Sequence, residues 1–375
     1  MTLMHQDLAE SAVDERLKRL LSYAAADPAN AALRTDAAEQ ALEAGEPDIV
    51  PQLMKGPAEG LSDRDLNLLG VAQMQLRDFG QAASAFEGIL SRGVDEPAVK
   101  FNLAWSLAMG KQFDRALDLL TPGVTSALPQ AAMLHVQLLH DRGAFDQAAE
   151  LARDYLEQFP GDAGLAAAVS VLALDVEDID LARQTAMTGG DHPDALTTLG
   201  TLALGDQDTG AALQLFDRAL AANAAIPRAW VGRGLAQLIS ADPAGAGRDI
   251  DKGAELFKDH IGSWIAAGWA YLIAGNLGEA RNRFERALAI DDNFAESHGS
   301  LAVVDVLEGQ DARTRIGTAL RLDRQCFSAA FAQTLTTARE GRPEAARAIF
   351  EKILKTPVND RGDTAAQAIA RLGLR

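Results

Sequence analysis

Apolar and small residues recur along the chain at a shift of 34 residues. A period of this length accommodates two helices joined by a short turn, so it predicts one helical hairpin per repeat and an all-α fold. The clearest aligned pairs are Trp230 with Trp264, Gly234 with Gly268, and Ala246 with Ala280.

Turn residues divide each repeat into a first and a second helix. Gly-containing or acidic turns separate the two helices, for example at residues 77–80, 142–145 and 274–277. Prolines stand near the starts of first helices, where a missing backbone donor is tolerated. We therefore expect nine repeats, some of them degenerate, beginning near residues 63, 97, 129, 163, 193, 227, 261, 295 and 327.

The two ends of the chain do not follow this register. Residues 1–62 contain three helical segments and are interpreted as an N-terminal helical cap or a diverged repeat. About nine repeats then occupy residues 63–358. Residues 359–375 include one more amphipathic segment, interpreted as a C-terminal capping helix, because the ends of a repeat stack need a polar outer face.

Composition favours helices and argues against one class of partner. Apolar residues make up 48% of the chain and aromatic residues only 5%, a balance that suits close-packed helices. A formal net charge of −18 opposes a stable grip on a phosphate backbone, so we expect no nucleic acid partner. The same charge could attract a basic partner, although solubility is its commoner cause.

Several features of the sequence bear on its cellular location. Residues 1–10 have no basic patch followed by an apolar run, so we expect no secretory signal in them. The stretch 261–280 is low in charge but interrupted by glycines, so we expect no membrane insertion. The single Cys326 cannot form an intramolecular disulfide, which suits a reducing compartment. We therefore expect a cytoplasmic protein, and the Ala and Gly content hints at a bacterial source.

One unit carries a specific motif. It follows the pattern W-x2-[LA]-G-x2-Y, and then has Ala, Phe and Ala in its second helix, with the residues Trp264, Ala267, Gly268, Tyr271, Ala280, Phe284 and Ala287. This pattern resembles the tetratricopeptide repeat (TPR) family. The resemblance implies a right-handed superhelical solenoid of stacked antiparallel helix pairs.

The motif assigns most of its large residues to the core. A small residue at the eighth position of the first helix leaves room for the second helix to approach. In the repeat near residue 295, Ala302 replaces this glycine and Thr318 is aligned with the motif phenylalanine. The residues interpreted as core are Phe86, Phe216, Trp230, Trp264, Phe284 and Phe350.

The resemblance also implies a concave groove, lined by the inward positions of the first helices. These positions are mostly apolar here, so we expect a protein or peptide to bind there. Trp105 and Trp269 hold the ninth position, where no packing partner is expected in their own hairpin, and are the expected anchors. The alternative is that superhelical closure or the N-terminal helices cover them. The candidate partner-binding residues are Phe101, Trp105, Met133, Leu235, Ile265, Trp269 and Leu272.

Two ligand-binding arrangements of TPR proteins are not matched. A clamp for a C-terminal carboxylate needs Lys and Asn at the fifth and ninth positions, where this chain has pairs such as Phe101 and Trp105. A ladder of Asn at the sixth position is met only by Asn102. We therefore expect an apolar or amphipathic ligand segment.

Residues with catalytic or metal-binding potential are few and poorly arranged. His135 and His140 are five residues apart, instead of the four that a helical metal pair needs. Asp206 and Asp208 partly match the pattern of a calcium-binding loop, but the terminal Glu of that pattern is missing. Cys326 could be a nucleophile, but a lone cysteine at a repeat junction is more often a small buried residue. We expect no metal, no cofactor and no enzyme activity.

The sequence therefore predicts a non-catalytic scaffold or adaptor that binds a partner protein. The alternative is a regulatory or sensor subunit that controls a partner enzyme, or a secretion or assembly machine, when it binds a peptide. A homo-oligomer is a further alternative that no feature of the sequence indicates.

Overall fold

The described secondary structure elements of the chain are helices. The structure is a computed structural model and describes residues 15–55, 60–355 and 364. The elements found in these residues are α-helices and short 3-10 segments, which confirms the expected all-α fold. The chain divides into two compact units, Met1–Leu172 and Ala173–Arg375.

The described part of unit 1 begins with helices that precede the first expected repeat and continues with helical hairpins. Residues 15–26 are helical (α1). The 3-10 helix is Pro47–Ile49. The further helices are α2 Ala31–Glu43, α3 Val50–Leu53, α4 Asp63–Gln75, α5 Phe79–Leu90, α6 Pro97–Met109, α7 Phe113–Leu119, α8 Pro122–Thr125, α9 Pro129–Asp141, α10 Phe145–Gln158 and α11 Ala163–Asp175, the last of which runs across the division into unit 2.

Unit 2 consists of helical hairpins throughout its described part. Its helices are α12 Ile179–Gly189, α13 Pro193–Gly205, α14 Thr209–Ala222, α15 Pro227–Ile239, α16 Pro243–Phe257, α17 Ile261–Ile273, α18 Leu277–Ile290, α19 Ala295–Leu307, α20 Arg313–Leu322, α21 Phe327–Arg339 and α22 Pro343–Leu354.

A 13-residue first helix begins at each of the nine residues where the sequence places a repeat start. Proline occupies the first turn of α6, α9, α13 and α15, where its missing N–H has no intrahelical acceptor to lose. The segment expected to form a C-terminal capping helix, 359–375, lies outside the described residues except for residue 364.

Each turn between a first and a second helix closes in the same way. The second turn residue has a positive φ in all nine hairpins, and four of these residues are glycines, such as Gly275 with φ of 79°. In the first hairpin the N–H of Asp78 donates to the carbonyl of Gln73 over 2.9 Å, and thereby satisfies a carbonyl at the end of α4. This turn lets the second helix return antiparallel to the first.

Glycine on the first helix interlocks with a large side chain on the second. A Cβ on Gly268 would lie 2.3 Å from the Phe284 ring, and one on Gly70 would lie 2.6 Å from the Phe86 ring. Phe86, Phe216 and Phe284 are all fully buried. The expected core assignment is confirmed for these rings and for Trp264, whereas Trp230 and Phe350 are only half-buried.

One expected alignment is wrong. In the repeat that begins at Ala295, the buried residues of α20 are Ile316 and Ala319, which correspond to Phe284 and Ala287 of α18 at a shift of 32 residues. Ile316, and not Thr318, therefore takes the place of the motif phenylalanine. The cause is a contraction of the repeat by two residues, which moves every later position along α20.

Candidate binding surface

The seven candidate binding residues lie on four first helices, two in each unit. Phe101 and Trp105 on α6 and Met133 on α9 form what we term the unit-1 patch. The unit-2 patch consists of Leu235 on α15 together with three residues of α17: Ile265, Trp269 and Leu272. All seven side chains are half-buried, so each packs on its unit and keeps part of its surface accessible.

The unit-1 patch is centred on two aromatic side chains. Phe101 and Trp105 are one helical turn apart, and their ring centroids lie 6.4 Å from each other. Both pack against the buried core of unit 1. Met133 lies on α9, and a Cβ on Gly164 would be 3.3 Å from its sulfur. The structure therefore brings Phe101 and Trp105 into contact and places Met133 against the start of α11.

The unit-2 patch follows one face of α17. Ile265, Trp269 and Leu272 are spaced by four and three residues, so they lie on the same side of the helix. They pack on a buried cluster that includes Phe284 and comes from α18 and α19. Leu235 packs on the neighbouring buried cluster, between α15, α16 and α17.

The surroundings of Trp269 differ from those expected from the sequence. Its ring packs edge-to-face with Phe284 in the second helix of its own hairpin, with centroids 6.1 Å apart. On another side it meets Phe331 of α21 at 6.2 Å, and its indole N–H donates to the Ser300 hydroxyl over 3.2 Å. Trp269 thus has the packing partner in its hairpin that we expected it to lack, because a ring at the ninth position reaches the motif phenylalanine.

Helix α21 reaches Trp269 because it lies unusually close to α19. Glu296 on α19 accepts hydrogen bonds from the backbone N–H of Phe327 at 2.8 Å and of Ser328 at 3.3 Å, and so caps the start of α21. A Cβ on Gly299 would lie only 2.6 Å from the backbone nitrogen of Ala329. At the other end, Arg339 donates to the carbonyls of the last turn of α19. These contacts leave most of α19 buried.

An aromatic cluster on the last described hairpin was missed by the sequence reasoning. Phe327 stacks on Phe331 with centroids 6.4 Å apart, and Phe331 meets Phe350 at 6.5 Å. All three rings are half-buried. Phe331 occupies the fifth position of the repeat that begins at Phe327, so the inward-position rule would have selected it had it been applied to this repeat.

Buried charges in unit 2 are paired within the unit. Asp249 accepts from the Nε and a terminal nitrogen of Arg233 at 2.6 and 3.0 Å. Asp305 accepts from Arg281 at 2.7 Å and Arg315 at 2.9 Å, and so links α18, α19 and α20. Paired carboxylates of this kind stabilise the packing of helices and are not available for proton transfer.

Burial shifts the pKa of two titratable side chains, Cys326 and His135. Cys326 is fully buried, and this burial together with the nearby Glu296 carboxylate raises the pKa of its thiol to about 12. The Cys326 thiol therefore stays protonated at neutral pH, as expected of a small buried residue. Burial lowers the pKa of His135, whose Nδ1 lies 2.8 Å from the Tyr155 hydroxyl.

Unit 1 contains two open clefts at its hairpin-turn edge. One of about 500 Å³ is lined by residues that include Leu117, His135 and Arg142, and one of about 360 Å³ is lined by Phe113 and Arg142 among others. In the described part of the chain, no group of three or more His, Cys, Asp or Glu side chains is placed to hold a metal ion. Within the same residues, no helix combines the length and apolarity needed to cross a membrane.

Comparisons with known proteins identify the repeats. The family model of the tetratricopeptide repeat matches residues 67–121 and 197–259, so matched segments occur in both units. No curated protein matches the sequence.

Solved structures of similar fold include two of IFIT1 as monomeric mutants. The one with m7Gppp-AAAA, in the anti conformation of the cap, has a TM-score of 0.52, and the one with Gppp-AAAA has a TM-score of 0.51. Each is 12% identical to this chain, and each alignment covers 86% of this chain and 90% of the other. A structure of the Cut9–Hcn1 hetero-tetramer of the APC/C is 13% identical to this chain and has a TM-score of 0.47. That alignment covers 93% of this chain and 84% of the other. At these identities the likeness concerns the fold alone.

Proposed function

Because this chain is a tetratricopeptide-repeat protein, we propose that it is a non-catalytic scaffold or adaptor that binds an apolar or amphipathic segment of a partner protein. Tetratricopeptide repeats generally serve protein–protein interaction. The observation that supports the finer proposal is the unit-2 patch, in which Leu235, Ile265, Trp269 and Leu272 are all half-buried on neighbouring first helices. Apolar residues left partly exposed in a row are typical of helix-in-groove recognition.

The unit-1 patch supports the same proposal independently. Phe101 and Trp105 form a tilted aromatic pair on α6. An aromatic pair that is anchored on the core and partly accessible resembles the anchors that dominate binding energy at interfaces, where removal of one commonly costs about 2–4 kcal/mol. Each unit therefore has its own candidate contact surface.

The proposal gives the chain no catalytic role and no nucleic acid ligand. Cys326 is buried and its pKa is raised to about 12, so it is a poor nucleophile. The two IFIT1 structures are of complexes with Gppp-AAAA and m7Gppp-AAAA, but this chain carries a formal charge of −18, which disfavours a polyanionic ligand. A reducing compartment such as the cytoplasm suits a chain whose single cysteine is buried.

Affinity capture from native lysate, followed by a mapping step, tests the proposal. Wild-type protein is compared with Trp105→Ala, Trp269→Ala and, as a matched control, Trp230→Ala. Trp230 is a half-buried tryptophan on a first helix but lies outside both patches. Each variant is first checked by circular dichroism for cooperative melting.

We expect a captured protein to be lost with Trp105→Ala or Trp269→Ala and retained with Trp230→Ala. A synthetic segment of that protein should then compete for binding. If every folded variant retains the same proteins, binding does not use the two patches and the proposal is wrong.

A further inference from the structure

Charge is distributed unevenly along the chain. Residues 312–375 contain 12 Lys and Arg and 6 Asp and Glu, a net charge of +6, whereas the whole chain carries −18. The preceding residues, 1–311, therefore carry −24. In the described part of the positive segment, α20, α21 and α22 are consecutive helices of unit 2. The last repeats of this acidic protein are thus basic.

Two arginines in this region have neither a carboxylate nor a backbone carbonyl as a partner among the described residues. Arg321, in the last turn of α20, donates only to the hydroxyl of Thr318 at 3.0 Å, and Arg324 lies in the connection to α21. Both side chains are exposed. By contrast, Arg313 and Arg342 both donate to Glu340, and the two guanidinium groups lower the pKa of that carboxyl. Arg321 and Arg324 therefore remain free to meet an external anion.

Arg321 and Arg324 precede the first ring of the aromatic cluster closely in the chain. Arg324 precedes Phe327 by three residues, and the rings of Phe327, Phe331 and Phe350 follow one another at 6.4 and 6.5 Å. Phe331 in turn meets Trp269 of the unit-2 patch at 6.2 Å. Half-buried aromatic surface thus continues from the unit-2 patch to the basic hairpins within one unit.

We infer that the segment bound by unit 2 is acidic as well as amphipathic. This inference rests on the proposed function and specifies the chemistry of the ligand at the same surface. Apolar side chains of the segment pack on Trp269 and on the phenylalanines of α21 and α22, and its carboxylates accept charge-assisted hydrogen bonds from Arg321 and Arg324. A polypeptide is favoured over nucleic acid because the cationic region is short, while the rest of the chain repels a long polyanion.

Selection from a displayed peptide library tests this inference with full-length protein. The library contains 20-residue segments whose apolar positions vary among Leu, Ile, Phe and Trp and whose polar positions vary among Glu, Gln and Lys. We expect wild-type protein to enrich segments of net negative charge. A chain of net charge −18 with no local basic site would enrich basic segments, so the sign of the bias is diagnostic.

Two charge-reversal variants locate the preference. Arg321→Glu/Arg324→Glu should lose the acidic bias and bind an enriched acidic segment about 10-fold more weakly, since two favourable contacts become repulsive. The control Arg153→Glu/Arg248→Glu changes the net charge equally at two exposed arginines outside this region, and should bind within about 2-fold of wild type. Trp269→Ala and Leu272→Ser should weaken binding of all segments, whatever their charge.

The outcomes separate the two proposals. Enrichment of neutral or basic segments that depends on Trp269 and Leu272 would support the proposed binding surface but contradict its preference for acidic segments. No enrichment over the bare support would overturn both proposals. A labelled 20-nucleotide single-stranded DNA serves as a competing ligand. If it binds more tightly than the acidic segment, and if this binding is lost in Arg321→Glu/Arg324→Glu, the inference is wrong and the surface is a nucleic acid site.

Discussion

The substitution Gly268→Ala tests how closely the two helices of a repeat approach. A Cβ at this position would lie 2.3, 2.5 and 2.8 Å from three ring atoms of Phe284. Carbon atoms in contact normally lie about 3.5–4.0 Å apart. The Phe284 ring is fully buried and also meets Trp269, so it has little room to turn away. The helices must therefore separate, or the ring must leave its rotamer.

The expected magnitude combines two opposing effects. Inserting a methyl group into a packed core typically costs about 1–3 kcal/mol. Alanine stabilises a helix interior by about 1 kcal/mol relative to glycine. Because the clash here involves several ring atoms, we expect the upper part of the first range and a net loss of about 1–2 kcal/mol in the free energy of unfolding.

The same substitution elsewhere in unit 2 is the matched control. Gly317 lies inside α20, and a Cβ there would meet nothing within 4 Å. Gly317→Ala should therefore raise the free energy of unfolding by about 0.5–1 kcal/mol. Denaturant titrations followed by circular dichroism measure both variants. Hydrogen exchange at α17 and α18 shows any loss that is confined to one hairpin, since repeat stacks can unfold locally.

A double-mutant cycle identifies the contact responsible. In a Phe284→Leu background the ring is gone, so Gly268→Ala should cost less than in wild type. If Gly268→Ala stabilises the protein as Gly317→Ala does, the helices are farther apart than described and the account of the interlock is wrong.

Three further expectations concern turns, ion pairs and pH. Ala241 and Gly275 occupy the turn position with positive φ, with values of 61° and 79°. In urea titrations, Ala241→Gly should stabilise the protein by about 0.5 kcal/mol and Gly275→Ala should destabilise it by about 1 kcal/mol. Changes of the same sign in the two variants would contradict this expectation. Asp305→Ala removes the carboxylate partner of Arg315 and one of the two carboxylate partners of Arg281, so it should lower the free energy of unfolding by about 3 kcal/mol. Glu351→Ala, at an exposed pair, should change it by less than about 0.5 kcal/mol, and equal effects would refute the distinction. Burial lowers the pKa of His135, so the unfolded chain takes up a proton at this residue first as the pH falls below about 6.5. Stability should therefore decrease from pH 7 to pH 5, with a shallower slope in His135→Gln, and an unchanged slope would show that His135 does not contribute.

The positions of the candidate binding residues could be predicted from the sequence only in part. Counting positions from each repeat start places Phe101, Trp105, Ile265 and Trp269 on first helices, where the structure also has them half-buried. Their role in binding a partner stays a prediction. The same counting from Phe327 selects Phe331, which occupies the fifth position and is also half-buried.

The alignment near Thr318 failed for a different reason. A contraction by two residues leaves the helical pattern of α20 intact, but it shifts which residues face the first helix. Only the burial of Ile316 and Ala319 reveals the shift. A fixed period cannot detect such a change, because helical hairpins tolerate small differences in length.

The sequence by itself determined the helical class, the start of each first helix and the turn between the helices of a repeat. These features depend on residues close in the chain, namely prolines at first turns, turn residues such as Gly275, and the interlocking pair Gly268 and Phe284. Only the tertiary structure decided how much of Trp269 remains accessible. Its contact with Phe331 joins helices that are two repeats apart. The distance between the two rings depends on how closely α21 approaches α19, and no pattern within a single repeat specifies this approach.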